Sequence, residues 1–255
     1  MCLYLIKVVA YFTMILDHIG FTFNESISDE NYIYLRILGR IAFPLFAYAI
    51  SIGFLKTRSV KKYAIRLFLW GIISQIPYYL FLNNSIPKKG AQSILIYIQT
   101  LITEIFSEKL NILFTFFFAI LMLFFFREIL KKNKENLKLS LVYTFAFLGV
   151  FVLVSFLNVD FGVYGLITVL IFYIARDNKL KMITLFTLLN LILLALFFIY
   201  EITIISTSIQ IFSLISIMFI KGHNPQNDKP LPWKHALYAL YPLHLLFLIL
   251  LKNLI

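Results

Sequence analysis

Charge is what this chain has least of. Only 14% of its 255 residues are Asp, Glu, Lys or Arg, where a soluble domain of this size carries roughly a quarter. The 23 basic and 12 acidic side chains crowd into short gaps between long apolar runs. That scarcity excludes a soluble enzyme and a disordered segment alike. Acidic residues are the scarcer kind, and the net charge of +11 could suggest a nucleic-acid partner. The basic residues lie in the loops of a hydrophobic chain, however, so they read as topology signals and no nucleic-acid role follows. Cysteine is almost missing: Cys2 stands alone and has no internal disulfide partner. No internal repeat is visible, which counts against the inverted-repeat transporters. What the chain has instead is 61% apolar residues and a mean hydropathy of +0.90. Those values predict an integral membrane protein surrounded by lipid.

About 20 apolar residues are needed for a helix to cross roughly 30 Å of hydrocarbon. Nine runs qualify or nearly so: Leu3 to Phe23, Ile33 to Phe54, Val60 to Leu82, Leu110 to Phe126, Leu139 to Leu157, Phe161 to Ala175, Leu180 to Tyr200, Ile202 to Ile220 and His235 to Leu251. The pattern predicts an all-α polytopic transmembrane bundle over 1–255, with about nine spans in a range of eight to ten. The first run has no small-residue cleavage site and carries Asp17 and His18 inside it, so it reads as a permanent span.

Orientation follows from the loops, because those rich in Lys and Arg stay in the cytoplasm. One alternating set holds Lys56 to Arg66, Arg127 to Lys138, Arg176 to Lys181, and Lys221 to Lys234, sixteen cations in all. The opposite set holds only Lys88, Lys89, Lys109 and Lys252. The N-terminus is therefore expected in the cytoplasm of a bacterial plasma (inner) membrane. Residues 83–109 then form an extracytoplasmic loop, with an interfacial helix expected over Ser93 to Phe106.

An ionisable side chain in hydrocarbon costs a few kcal/mol even on lenient scales, so one that persists is paired, functional or both. Four polar clusters interrupt the runs: DHIG at Asp17 to Gly20, RILGRIAFP at Arg36 to Pro44, SQIP at Ser74 to Pro77, and YPLH at Tyr241 to His244. The derived topology puts Asp17, His18, Arg36 and Arg40 at similar depth in the outer half, so the first two clusters can meet. Arg36 and Arg40 are i, i+4 and share a helix face. Asp17 is the natural partner of one of them, leaving the other for a substrate or for Glu25 and Glu30. His18, about 100° away from Asp17 around the helix, is a candidate general base. Ser74, Gln75 and Asn111 also fall in the outer half, and Tyr241 and His244 share a face beside Pro242. Each has a structural alternative: an ion pair that fixes helix register, interhelical hydrogen bonds, or packing.

These motifs resemble a known family. Ile6 and Lys7 with Met14 to Gly20, Leu35 to Phe46 with Gly53, Thr57 and Arg58, then Lys61 to Leu67, Ser74 to Pro77, Leu110 to Thr115, Asp160 to Leu166 and Tyr241 to Leu245 follow, in order, the pattern of the TraX family of F-pilin acetylase-like membrane acyltransferases. The resemblance implies an acetyltransferase carrying an acetyl group from cytoplasmic acetyl-CoA to an amine or hydroxyl acceptor on the outer side, a peptide N-terminus or a glycan. The loop GHNPQNDKPLPW, Gly222 to Trp233, departs from the family's Asn-Gly-rich pattern, so pilin is not carried over as the acceptor.

Acetyl transfer needs a base, donors for the developing oxyanion, and cations for the coenzyme's phosphates. The expected catalytic residues are His18, Asp17, Arg36 and Arg40. Ser74, Gln75, Asn111, Tyr241 and His244 are expected to bind substrate, and Arg58, Lys61, Lys62 and Arg66 the coenzyme phosphates. No metal is expected. No serine adjoins a histidine and Cys2 is terminal, so transfer is expected to be direct. The rival classes are a proton-coupled solute transporter and a non-enzymatic assembly protein of a secretion system.

Overall fold

A computed structural model describes residues 1–83, 103–106, 108–132, 136–199, 209–228 and 234–254, to which every statement below refers. They are helical throughout, and the described residues include no strand beyond one isolated parallel bridge, Leu110 to Val159.

Helix α1 (Leu3–Thr22) is 20 residues long, about 30 Å at 1.5 Å per residue. Helix α2 (Asp29–Gly39) begins four residues before the apolar run because Ser28 caps it, accepting from the Asn31 N–H, with Asp29 and Glu30 in the first turn. Carboxylates are favoured there by the positive end of the helix dipole. The second run is not one helix, as expected for Ile33 to Phe54, but two: α2 gives way at Arg40 and Ile41 to α3 (Ala42–Lys56). Pro44 supplies the reason. It has no N–H for the Arg40 carbonyl, and its ring would collide with that carbonyl in a continuous helix. Pro77 in α4 (Val60–Asn83) is carried inside an unbroken helix.

The rest follows as α5 (Ile112–Lys132), α6 (Leu137–Phe156), α7 (Gly162–Ile174), α8 (Lys179–Ile199), a 3₁₀ segment (Ile209–Ile215) running into α9 (Ser216–Lys221), and α10 (Lys234–Leu254), which encloses Pro242. Seven helical segments are long and apolar enough to cross a membrane, with Asp29–Lys56 counted as one of 28 residues. The sixth expected span appears as a shorter apolar helix, Gly162–Ile174, and the described part of the eighth as Ile209–Lys221, residues 202–208 lying outside the described residues. Of the expected interfacial helix, residues 93–102 lie outside the described residues, while 103–106 form a helical turn.

The chain divides into two compact units interleaved in sequence. The first comprises Met1–Gly53, Thr168–Lys234 and Leu251–Ile255. In it α1 packs on α2, and both α2 and α8 pack on the 3₁₀ segment, around Ile6, Leu45, Phe172 and Phe186. The 3₁₀ segment is tied to α8 where the Ser213 hydroxyl donates to Asn190 Oδ1 at 2.9 Å. The second unit comprises Phe54–Ile167 and His235–Leu250. There α4 packs on α5 and α5 on α6, around Leu67, Ile120, Met122 and Leu245. Its α6 exposes Val142, Phe145, Val152 and Phe156, a face that only hydrocarbon would solvate.

Candidate functional site

The first unit gathers the charged residues of DHIG and RILGR. Asp17 on α1 accepts from Arg36 Nη1 at 2.9 Å through one oxygen and from Arg40 Nη2 at 2.8 Å through the other. One turn of α2 separates the two arginines, so their guanidiniums approach from successive positions on one helix face. The carboxylate thus takes both arginines, where one was expected to remain over. All three side chains are at most 15% exposed, so these are charge-assisted bonds in a poorly solvated place, where such bonds are strongest. Arg40 Nε also donates to the Arg36 carbonyl at 3.2 Å, and Arg36 lies over the Phe21 ring. His18, the next residue in the chain, is half-buried.

Two glycines explain how α1 and α2 come this close. A Cβ on Gly39 would lie 2.2 Å from Asp17 Cβ and Oδ1, so the Asp17 side chain occupies the space that any other residue would fill. A Cβ on Gly20 would lie 2.9 Å from Leu35 Cβ. The glycines of DHIG and LGR are therefore parts of the same contact as the charges.

A second polar chain in this unit was not anticipated. Tyr48 on α3 bonds His223 Nδ1 at 2.8 Å, and His223 Nε2 faces both Asp228 oxygens at 3.1 and 3.2 Å. A carboxylate only accepts, so Nε2 carries the hydrogen, and in the neutral imidazole Nδ1 is then the acceptor for the Tyr48 hydroxyl. Asp228 also accepts from the Leu3 N–H at 2.7 Å, and the Met1 ammonium donates to the Gly222 carbonyl at 2.7 Å. The loop that departs from the family pattern is thus the one that holds the start of α1. Tyr48 and His223 are 175 positions apart, and no local motif marks either of them.

The second unit contains the other expected residues. Gln75 and Asn111, both fully buried, form a closed clasp between α4 and the start of α5. Gln75 Oε1 accepts from Asn111 N–H and Nδ2, while Gln75 Nε2 donates to the carbonyls of Ile105 and Lys109. Asn111 Nδ2 also donates to the Gly71 carbonyl at 2.8 Å. The hydrogen-bonding capacity of Gln75 is engaged within the protein, and the geometry favours the interhelical alternative for this pair. Ser74 is buried with its Oγ unpartnered among the described residues. Tyr241 and His244 lie ring to ring at 5.7 Å, and His244 Nδ1 donates to the Leu240 carbonyl at 2.9 Å. Asp160 pairs with Lys109 at 2.7 Å, and its carbonyl accepts from the Thr115 hydroxyl.

Arg58, Lys61 and Lys62 are exposed around the start of α4. Arg66, half-buried one turn further, lies over the rings of Tyr63 and Tyr238 at 5.3 and 5.7 Å. Among the described residues, no group of three or more His, Cys, Asp or Glu is placed to hold a metal ion.

Seven long apolar helices with charged pairs buried among them define a polytopic α-helical membrane protein. The family described as TraX protein matches residues 3–252, and the chain belongs to it. A probable fimbrial assembly protein FimC, serogroup H1, from Dichelobacter nodosus is 26% identical over 249 residues, covering 95% of this chain and 92% of that protein. Protein TraX from Escherichia coli is 40% identical over 77 residues, 30% of this chain and 29% of its own length. No solved structure matches.

Proposed function

We propose that this protein is a multi-pass acyltransferase of a bacterial plasma membrane that moves an acetyl group from cytoplasmic acetyl-CoA to an amine or hydroxyl on the extracytoplasmic side. The observation that carries the reading is the Asp17 clamp on Arg36 and Arg40 with His18 next to it. The clamp sets the position of two cations and of the helix that presents His18. His18 removes the acceptor's proton as it attacks the thioester carbonyl, and collapse of the tetrahedral intermediate breaks the C–S bond and releases coenzyme A, whose thiolate takes the proton from His18. Arg36 and Arg40 stabilise the oxyanion that develops. Arg58 and Lys61 attract the coenzyme's phosphates. Membership of the TraX family, and the fimbrial assembly described for the Dichelobacter relative, support a substrate at the cell surface, with a peptide N-terminus as the first acceptor to try.

The test is a reconstituted assay with radiolabelled acetyl-CoA and two acceptors, a synthetic peptide with a free N-terminal amine and a short oligosaccharide. His18→Ala, shown to be folded by its melting temperature, is expected to lose transfer by roughly 10²–10⁴-fold. Full transfer by the folded variant overturns the reading. The relative's description also favours a second one, a non-enzymatic assembly protein whose clamp is structural. In that case wild type releases no coenzyme A with any acceptor, and changes at Asp17 or Arg40 move only stability. Proton-dependent solute uptake into liposomes with no coenzyme A consumed would point to a transporter.

A further inference from the structure

The outward face of α4 combines two cations with no carboxylate partner among the described residues, an aromatic pair and a long exposed apolar stripe in the order of the parts of a lipid. Lys62, Ile65, Arg66, Leu69 and Trp70 line an open cavity of about 340 Å³. Their spacing of i, i+3, i+4, i+7 and i+8 keeps them on one helix face. The face continues through Ile72, Ile73 and Ile76, and Ile65, Leu69, Ile73 and Ile76 are each 45–55% exposed. Trp70 stacks on Tyr238 with ring centres 6.2 Å apart.

The cations lack carboxylates: among the described residues none lies within 4.0 Å of Lys62 or Arg66, although Asp17, Asp160 and Glu128 all pair with cations elsewhere. Arg66 Nε is buried with no hydrogen-bond partner among the described residues. A guanidinium partly withdrawn from water and left without an anion is unfavourable. An anion supplied by the surroundings removes that cost.

We propose that this face of α4 binds one anionic phospholipid of the cytoplasmic leaflet. Its phosphate bonds Lys62 and Arg66, its glycerol backbone rests at Trp70 and Tyr238, and one acyl chain lies along Leu69, Ile73 and Ile76. The dimensions agree. Lys62 to Ile76 is about 21 Å of helix at 1.5 Å per residue, and a headgroup plus one leaflet, half of the roughly 30 Å hydrocarbon core, needs the same reach. Tryptophan and tyrosine are at home at that interfacial depth. Charge selects the leaflet, because the loop before α4 belongs to the basic, cytoplasmic set. A soluble phosphate ester would satisfy the two cations but leave the stripe uncovered. Arg58 and Lys61 do not line the groove and stay available to a soluble donor.

Native mass spectrometry of the delipidated protein in detergent tests this by titration with phosphatidylglycerol and with phosphatidylcholine of identical chains. Wild type is expected to retain one phosphatidylglycerol, at least tenfold in preference to phosphatidylcholine. The Lys62→Gln, Arg66→Gln double variant should fall to the phosphatidylcholine level. Lys131→Gln with Lys138→Gln, which neutralises two cations of another loop in the same basic set, should leave binding unchanged. A charge-conserving Lys62→Arg, Arg66→Lys pair should keep the preference and guards against misfolding. Equal binding of the two lipids, or unaltered phosphatidylglycerol binding in the double variant, overturns the proposal. Displacement of the lipid by acetyl-CoA at equal concentration would give the groove to the soluble donor instead, and it also overturns the assignment. The readout is lipid mass, so failure to find acetyl transfer leaves it untouched.

Discussion

Replacing Gly39 with alanine adds one methyl group at the tightest point of the α1–α2 contact. The new Cβ would lie 2.2 Å from Asp17 Cβ and Oδ1 and 2.4 Å from Cγ, whereas carbon atoms rest at about 3.5–4.0 Å. At least about 1.3 Å must be found. Either α1 moves off α2 or Asp17 leaves its position, and each route stretches the 2.8 and 2.9 Å bonds to Arg40 and Arg36 past useful length. Overpacking costs about 1–3 kcal/mol, and each hydrogen bond to a charged group contributes about 1.5–3 kcal/mol. Against this, alanine in a helix gains about 1 kcal/mol over glycine. The losses win, and a net destabilisation of at least about 3 kcal/mol is expected. For a chain of this size that is a fall in melting temperature of at least about 6 °C, read by intrinsic fluorescence in detergent at one fixed scan rate. Gly149→Ala on α6 is the internal control, because its Cβ meets nothing within 4 Å, and it should be neutral or slightly stabilising. In the double variant Asp17→Ala, Gly39→Ala the methyl has room, so its cost should be less than the sum of the single costs. Equal melting temperatures for Gly39→Ala and Gly149→Ala would refute the argument that this glycine exists to admit the carboxylate.

Three further outcomes follow from the same geometry. Gln75→Leu strands the Asn111 amide together with the carbonyls of Ile105 and Lys109, and a loss of about 2–4 kcal/mol is expected in thermal unfolding. Lys109→Gln breaks a pair whose lysine is 40% exposed, so its effect should stay below about 1 kcal/mol, and a shift as large as that of Gln75→Leu would contradict the reading. Tyr48→Phe removes the hydroxyl bonded to His223 Nδ1 and should cost about 1–2 kcal/mol. His223→Leu also strips Asp228 of its imidazole and should cost more, so the reverse order in melting temperature would count against the chain of bonds described.

The fold was legible because the bilayer is a demanding solvent: apolar runs must be helices, and among the described residues seven of the nine runs are found as helices long enough to cross it and two as shorter apolar helices. The approach of Asp17 to one of the two arginines was legible too, since a buried carboxylate has few other partners in hydrocarbon, but that it takes both was not. Polar residues in the interior could be flagged from sequence, but their use could not. Gln75 and Asn111 read equally well as ligands or as a clasp, and only the directions of their hydrogen bonds separate the two.

Hydropathy by itself determined the membrane class and the positions of the apolar segments, because those depend on transfer energies that add residue by residue. The tertiary structure decided what depends on close approach between distant parts of the chain. Asp17 takes both arginines because Gly39 leaves room for its side chain against α2. Pro44 splits the second run at Arg40, and the helices around the break keep both guanidiniums on one carboxylate. Tyr48, His223 and Asp228 form a chain because the loop after α9 folds back onto the start of α1. Hydrogen bonds and steric contacts fall off within an ångström, so no pattern along the sequence could announce them.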